Sequence, residues 1–194
     1  DAEEFRAEVE SLGWRRPRGN DDDENEDEGR LFARPFDVRD EAARAKLMRV
    51  LVMSRRLERV EGVVCVEGVV WTAADNDDGG TVHVRSRRFR NGHVMQWLSA
   101  QRRSPVVVRA LLGHAALALA ELHREGVAVG DVRPEHVLVD GGDTPWPRVA
   151  WCGLSTFRER DALPRHELDA DTRAFARCAS ELLRGGRDNA TAPT

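Results

Sequence analysis

The sequence predicts an α+β fold in which a small antiparallel sheet with one helix is followed by a mainly helical region. The valine-rich stretch Gly62–Thr72 and the stretch Thr81–Phe89 flank the turn sequence Asp75–Gly80, which is typical of a β-hairpin. A long amphipathic helix is predicted from Pro105 to Glu125, and a short apolar strand, Val137–Val139, follows it. The order of these elements is the basis of the predicted fold class.

The N-terminal part, residues 1–29, is predicted to be a helix followed by an acidic flexible segment. Apolar residues at helical spacing predict a short helix over Ala2–Leu12. The run Asn20–Glu28 consists almost entirely of Asp and Glu, and like charges repel, so a solvated mobile loop is the plainer interpretation. The alternative interpretation is that this run is an acidic arm that docks onto a partner.

The next elements complete the predicted sheet and its helix. Leu31–Phe36 is a predicted strand with a proline near its end, and Asp37 is placed to cap a helix over Arg39–Arg59. One face of that helix carries Leu47, Val50, Leu51, Ser54 and Leu57.

A polar loop joins the long helix to the strand that follows it. Gly126 suits the left-handed position that ends a helix. The charged segment Asp131–His136 then precedes the strand, and a second strand is predicted within Pro147–Ser155. Before the long helix, Asn91–Gly92 is a predicted connector and Val94–Ala100 a predicted short helix. Charged loops held by regular elements are common places for function.

Composition excludes some classes of protein. The net charge is −4 with 34 acidic and 30 basic residues, so there is no overall attraction to nucleic acid or to an anionic membrane. The 41% apolar content favours a folded domain. No apolar run is expected to reach the length of a membrane span. Three distant cysteines, an odd number, indicate packed thiols rather than a metal site or disulfide framework: Cys65, Cys152 and Cys178.

The stretch Leu119–Asp140 resembles the catalytic segment of the protein kinase family. The family pattern runs Leu-His-x-x-Gly, His-Arg-Asp-x-Lys-x-x-Asn, then a strand and Asp-Phe-Gly. Leu122–Gly126 matches the first part at the helix end. The family's His-Arg-Asp falls on Val129, Gly130 and Asp131, its lysine on Arg133, its asparagine on His136, and its Asp-Phe-Gly on Trp151, Cys152 and Gly153.

This resemblance implies a two-lobed kinase-like fold that is truncated. Residues 30–92 would form the N-lobe-like part and residues 93–184 the C-lobe-like part, with a disordered tail over residues 185–194. A kinase domain needs about 250 residues or more, and this chain has 194, beginning with Asp, so a processed or cut chain is expected.

The same resemblance implies that phosphoryl transfer is lost. The family's strand lysine is absent, because the single lysine, Lys46, lies inside a predicted helix, and Arg34 is the nearest substitute by position. The metal-binding aspartate falls on Trp151, which is also expected to fill part of the space of a phosphate. His136 is a poor ligand for a hard cation. Asp131 remains as a vestigial catalytic base. No cofactor and no metal are expected.

Two further positions are expected to have structural roles. Val129, together with Cys152, would keep packed the apolar column that the family builds from its histidine and phenylalanine. Asp171 opens the predicted helix Asp171–Leu183 and matches the family aspartate that bonds the backbone of the catalytic loop.

The resulting interpretation is a pseudokinase that acts as a binding, scaffolding or allosteric module for a protein partner, with no nucleic acid ligand and with its oligomeric state open. Ser86–Phe89 and Leu31–Phe36 are similar to segments of the secreted rhoptry kinase-like proteins of apicomplexan parasites. The Gly-Asp-x-Arg-Pro-Glu loop fits a small fungal or algal kinase-like protein equally well. The compartment stays open between cytoplasm and, for a rhoptry-type protein, secretion.

Two alternatives remain. The first is a divergent active phosphotransferase using Asp131, Glu135, His136 or Asp140. The second is an unrelated α/β interaction domain that docks a partner through its acidic arm or through the arginine cluster Arg85, Arg87, Arg88 and Arg90. A solvated strand face is the plainer interpretation of that cluster.

Overall fold

The computed structural model describes residues 2–14, 31–72, 80–100, 104–141, 147–159 and 164–188. These residues form an α+β structure with five α-helices and three small antiparallel sheets. The chain divides into two compact units. The first unit comprises Asp1–Arg59 and Val64–Arg88, and the second comprises Val60–Val63 and Phe89–Thr194.

The first unit is a three-stranded antiparallel sheet with two helices. Strand order in the sheet is β1-β3-β2, so the last strand in sequence lies in the centre. This confirms the prediction that the three segments form one antiparallel sheet. The elements are α1 (Ala2–Ser11), β1 (Leu31–Asp37), α2 (Glu41–Arg56), β2 (Val66–Thr72) and β3 (Thr81–Arg87). The acidic run and the hairpin turn residues 73–79 lie outside the described residues.

One face of this sheet forms the core of the first unit. Val82, in the central strand, is fully buried and lies opposite Phe36 on β1 and Trp71 on β2. Phe5 and Val9 of α1 belong to the same buried cluster. Helix α1 is therefore part of the first unit, whereas residues 1–29 are predicted from the sequence to lie apart from the sheet. Burial of apolar surface of this kind is the main stabilising contribution to a small domain.

The helix α2 begins and ends inside its predicted bounds, and its capping residue is not the predicted Asp37. Asp40 is the N-cap, and its side chain accepts a hydrogen bond of 3.0 Å from the backbone N–H of Ala42. Asp37 is still paired in the sheet, with Thr81 on β3. Its carboxylate instead accepts hydrogen bonds from the backbone N–H and the guanidinium of Arg39.

The strand predicted over Gly62–Thr72 begins four residues late, at Val66. Gly62 has a left-handed backbone, with φ of 78°, which interrupts an extended run. The carbonyl oxygen of Gly62 accepts a hydrogen bond of 2.8 Å from the backbone N–H of Trp151. Val63 forms a parallel bridge with the same residue. This short piece of chain thus belongs to the second unit.

The second unit is mainly helical with two small two-stranded sheets. Strand β4 pairs with β7 and strand β5 pairs with β6, both antiparallel. Its elements are α3 (Val94–Ala100), α4 (Pro105–Arg124), β4 (Val127–Ala128), a 3₁₀ turn (Pro134–His136), β5 (Val137–Asp140), β6 (Arg148–Trp151), a 3₁₀ turn (Leu154–Thr156), β7 (Arg158–Glu159) and α5 (Arg165–Asp188).

The helix α4 supplies the central apolar face of the second unit. Ser104 caps its N-terminus by accepting a hydrogen bond of 3.2 Å from the N–H of Val106, and Pro105 occupies the first turn. Its buried residues follow the helical spacing expected from the sequence: Val108, Leu111, Leu112, Ala115, Ala118, Leu119 and Leu122.

The length and apolar composition of α4 also meet the criterion for a membrane-crossing helix, contrary to the expectation that no apolar run reaches that length. About 39% of the window that meets it is buried inside the structure. The core helix of a water-soluble protein passes the same test, so the criterion leads to no conclusion about a membrane span.

The helix α5 extends beyond both ends of the predicted Asp171–Leu183. It begins at Arg165, so Asp171 lies in its second turn rather than at its start. It continues to Asp188, into the range 185–194 that the sequence assigns to a tail. Residues 189–194 lie outside the described part of the chain.

Candidate functional site

The polar loop of the second unit is shaped by two glycines with left-handed backbone. Gly126, with φ of 73°, follows the end of α4 as predicted. Gly130, which the resemblance aligns with an arginine, has φ of 74°. A Cβ added at Gly130 would lie 2.9 Å from the carbonyl oxygen of Thr156, so a larger residue there would require the backbone to shift. The loop is thus packed closely against the turn after β6.

The loop backbone is held by Asp171 of α5. Asp171 is 3% exposed, and its carboxylate accepts hydrogen bonds of 2.7 Å from the N–H of Val129 and 3.0 Å from the N–H of Gly130. The Nε2 of His123 lies 3.2 Å from the same carboxylate. A buried carboxylate with three hydrogen-bond partners is well satisfied. Asp171 therefore joins α5, the loop and the end of α4.

Asp131 lies at the centre of the loop with its carboxylate bonded to a neighbour. The guanidinium of Arg133 donates a hydrogen bond to its Oδ2. The Nδ1 of His136 lies 3.7 Å from that oxygen and 2.8 Å from the carbonyl oxygen of Asp131. The hydrogen bond from Arg133 lowers the pKa of the Asp131 carboxyl below its ordinary value. A carboxylate with a lowered pKa is a weaker proton acceptor.

The hairpin β5–β6 brings the other candidate positions to the same loop. The backbone N–H of Cys152 donates a hydrogen bond of 2.9 Å to the carbonyl oxygen of His136. Gly153 has a left-handed backbone, with φ of 87°, and the imidazole of His136 lies over it. The structure therefore brings together His136, Cys152, Gly153 and the loop that carries Asp131.

Trp151, which is expected to fill part of the space of a phosphate, lines a small cavity together with Arg133 and Pro134 of the loop. Its side chain is 1% exposed and lies in the apolar core of the second unit. The indole Nε1 donates a hydrogen bond of 3.0 Å to the carbonyl oxygen of Ala115 on α4. The ring packs edge-on against Phe175 of α5, with centroids 6.2 Å apart. A large apolar ring with a satisfied donor is favoured in the core.

Arg34, the residue expected to stand in place of the kinase lysine, lies in the first unit. Arg34, on β1, is exposed, and its guanidinium lies 5.3 Å from the centroid of Phe36. No ion pair joins Arg34 to a carboxylate in the part of the chain that the structure describes. Lys46 lies within α2, as predicted. Val129, the other predicted structural position, is fully buried.

Sequence reasoning missed two features. The first is the contact of His123 with Asp171, which joins residues 48 apart in sequence; the position of His123 in the Leu-His-x-x-Gly pattern is the available signal. The second feature is a cavity of about 370 Å³ in the first unit, lined in part by Trp14, Arg55 and Glu67. Arg55 lies over the Trp14 ring at 4.0 Å. No local sequence pattern predicts such a cavity.

The cysteines are all free thiols. Burial raises the pKa of the Cys65 thiol and the pKa of the Cys178 thiol above the ordinary value. Neither thiol is therefore activated as a nucleophile. Within the described residues, no group of three or more His, Cys, Asp and Glu side chains is placed to hold a metal ion.

Comparison with known proteins gives no relative from which a role could be transferred. Neither a family model nor a curated protein matches this chain. The candidate site is consequently interpreted from its own contacts.

Proposed function

We propose that the chain is a protein-kinase-like module without phosphotransferase activity that acts by binding a protein partner. The observation that carries this proposal is the state of Asp131. Its carboxylate, at the position of the family's catalytic base, is bonded by Arg133 and has a lowered pKa. A base that already accepts a hydrogen bond and has a lowered pKa is less suited to accept a proton from a substrate hydroxyl.

The arrangement of the loop supports the kinase-like part of the proposal. The resemblance assigns to Asp171 the role of bonding the backbone of the catalytic loop, and Asp171 accepts hydrogen bonds from the N–H groups of Val129 and Gly130. The order of elements from β1 to the hairpin β5–β6 is also the one that the resemblance implies. A truncated two-lobed kinase-like fold is the interpretation that accounts for both features.

The residues at the nucleotide-handling positions support the inactive part of the proposal. A bound ATP with Mg²⁺ needs cationic groups at its phosphates and oxygen ligands at its metal. The position of the metal-binding aspartate is occupied by Trp151, whose side chain is in the core. The position of the asparagine is occupied by His136, a nitrogen ligand. Each missing charge-assisted contact is worth about 1.5–3 kcal/mol, so binding should be weakened by several powers of ten.

The experiment is a thermal-shift measurement with ATP at millimolar concentration, with and without Mg²⁺. A ligand present at 100 times its Kd stabilises the folded state by about 2.7 kcal/mol, which raises Tm by several degrees. We expect no such shift and no transfer of phosphate to the chain itself or to a generic protein substrate.

The matched control variant is Asp131→Asn, which keeps the shape of the side chain and removes its charge. If Mg²⁺ and ATP together raise Tm by several degrees, and Asp131→Asn abolishes a measurable phosphate transfer, the chain is a divergent phosphotransferase and the proposal is wrong. The absence of any ATP-induced change in Tm in either protein, with or without Mg²⁺, supports it.

A further inference from the structure

The cavity of about 370 Å³ in the first unit lies where three pieces of chain meet, and we call it the Trp14 pocket. Its walls are the residues just after α1, the end of α2 and the start of β2. The described residues that line it are Gly13, Trp14, Ser54, Arg55, Glu58, Val66, Glu67 and Gly68. Pockets of about 300–1,000 Å³ are the size that holds a whole small molecule.

The pocket lies beside an irregularity of β2, which is at the edge of its sheet. The register of β2 against β3 shifts between Val66 and Gly68, so Glu67 has no partner on β3. The N–H of Val66 donates a hydrogen bond of 2.7 Å to the Oγ of Ser54 on α2. A Cβ added at Gly68 would meet nothing within 4 Å. The pocket is therefore framed by a helix and a strand and has open space at Gly68.

The buried part of the pocket lining is mainly apolar. Trp14 is 7% exposed and Val66 is 8% exposed. The third buried lining residue, Ser54, already uses its Oγ to accept the hydrogen bond from Val66. This part of the lining thus offers an indole ring and an aliphatic side chain, which suit the apolar body of a ligand.

The guanidinium of Arg55, the cation among the described lining residues, is already engaged. It donates a hydrogen bond of 2.7 Å to the carbonyl oxygen of Gly13. It also lies over the ring of Trp14, 4.0 Å from the centroid. Its Nη1 lies 3.7 Å from Oε2 of Glu58, which is an ion pair longer than a hydrogen bond. Arg55 therefore has three neighbours that offset its charge, and an anionic ligand would have to displace them.

Two exposed carboxylates give the pocket a negative character. Glu58 makes only the long ion pair with Arg55, and Glu67 makes no hydrogen bond or ion pair within the described part of the chain. Burial raises the pKa of the Cys65 thiol most, and the negative charges of Glu58 and Glu67 raise that pKa further. Both carboxylates therefore act on the same region. With one positive and two negative side chains, the described lining favours a cation.

We propose that the Trp14 pocket binds a small organic cation in which an ammonium group is attached to an apolar body. The apolar body lies against Trp14 and Val66, and the ammonium group donates charge-assisted hydrogen bonds to Glu67 and Glu58. An anion of the same shape meets two carboxylates and an engaged guanidinium, so it binds less well. This inference goes beyond the proposed function and does not depend on the resemblance to kinases.

The probe is phenethylamine, which is protonated at pH 7, titrated into the full chain and followed by ¹H–¹⁵N chemical shifts. The matched ligand is 3-phenylpropionate, which has a similar size and the opposite charge. We expect saturable binding of phenethylamine that weakens with salt and is at least tenfold tighter than that of 3-phenylpropionate. The largest shifts are expected at the backbone N–H groups of Gly13, Trp14, Glu67 and Gly68.

Three single variants test the assignment of the carboxylates. Glu67→Gln should weaken the binding of phenethylamine several-fold, and Glu67→Lys should weaken it at least tenfold. Because Glu67 is exposed, both variants should keep an unaltered Tm. Glu41→Gln, which removes an exposed carboxylate at the other end of α2, is the control and should leave the affinity within twofold.

The chain continues from Trp14 with Arg15, Arg16 and Arg18, which are cationic and close in sequence to the pocket. Each titration is therefore repeated on a variant in which these three arginines are replaced by Gln. Absence of saturable binding to both proteins overturns the proposal. So does an affinity for 3-phenylpropionate that equals or exceeds that for phenethylamine. An affinity unchanged in both Glu67 variants, or shifts confined to residues outside the pocket, overturns it as well.

Discussion

The imidazole of His123, in the last turn of α4, lies 3.2 Å from the carboxylate of Asp171 in α5. The same carboxylate accepts hydrogen bonds from the backbone N–H groups of Val129 and Gly130. One buried side chain of α5 thus interacts with a helix end and a loop that both lie more than 40 residues earlier in the sequence. The contact explains how a loop rich in charge keeps one backbone conformation.

Replacement of Asp171 is expected to destabilise the second unit. Asp171→Ala leaves two buried backbone donors without partners, at about 1–3 kcal/mol each, so a loss of about 2–5 kcal/mol is expected. Asp171→Asn, which keeps one oxygen, should cost less. Asp169→Asn, on the exposed side of the same helix, is the control and should change stability by less than about 0.5 kcal/mol. Urea unfolding followed by tryptophan fluorescence measures the difference. Equal midpoints for Asp171→Ala and the control would show that the carboxylate does not hold the loop.

Placing an aspartate at Trp151, where the resemblance to kinases puts a metal ligand, is expected to unfold the second unit rather than to create a metal site. The position is buried in an apolar core, where an unpaired carboxylate is strongly disfavoured. Trp151→Asp should cost more than about 4 kcal/mol. Trp151→Phe keeps most of the packing and loses the hydrogen bond to Ala115, so about 1–2 kcal/mol is expected. Circular dichroism melts of both variants, with and without Mg²⁺, measure this. A stable, Mg²⁺-binding Trp151→Asp protein would contradict the buried placement.

The lowered pKa of Asp131 is expected to depend on Arg133. In Arg133→Met the hydrogen bond is removed, and the carboxyl pKa should rise toward the ordinary value of 3.8. Because the folded pKa is below the unfolded one, the contribution of this pair to stability is present above about pH 4 and is lost as pH falls through the lowered value. Carboxyl ¹³C chemical shifts between pH 2 and 6 give both pKa values directly. Glu135→Gln, which leaves the pair intact, is the control.

Helix α2 offers a test of which aspartate caps it. The side chain of Asp40 accepts a hydrogen bond from the N–H of Ala42, so Asp40→Ala should cost about 1 kcal/mol of stability. Asp37→Ala removes an exposed pair with Arg39 and should cost less. Thermal unfolding of the two single variants distinguishes them. A larger loss for Asp37→Ala would restore the cap predicted from the sequence.

Elements with a strong periodic pattern were predictable from the sequence. The spacing of apolar residues and the Pro105 start gave α4 to within one residue, and Val94–Ala100 has the predicted bounds. Local turn chemistry also predicted the left-handed Gly126. These features depend on the residues next to one another, which a sequence displays directly.

Features that depend on distant contacts were not predictable. The side chain of Trp151 turns into the core because α4 offers it an acceptor and α5 an aromatic neighbour, and neither is near it in sequence. Two aspartates, Asp37 and Asp40, both precede α2, and only the pairing of Asp37 in the sheet and its contact with Arg39 decide between them. The role of Asp131 stays a prediction, since the contacts of a side chain do not measure its activity.

The four residues Val60–Val63 have a consequence for any attempt to divide the molecule. They are counted with the second unit, while the chain immediately before and after them is counted with the first. A gene fragment starting at Phe89 would encode β6 without the carbonyl of Gly62 that receives the N–H of Trp151. The edge of β6 would then carry an unpaired backbone N–H at Trp151, and unpaired strand edges favour aggregation. A separable second unit would therefore require Val60–Val63 to be grafted ahead of Phe89 through a flexible linker, rather than a single cut in the chain.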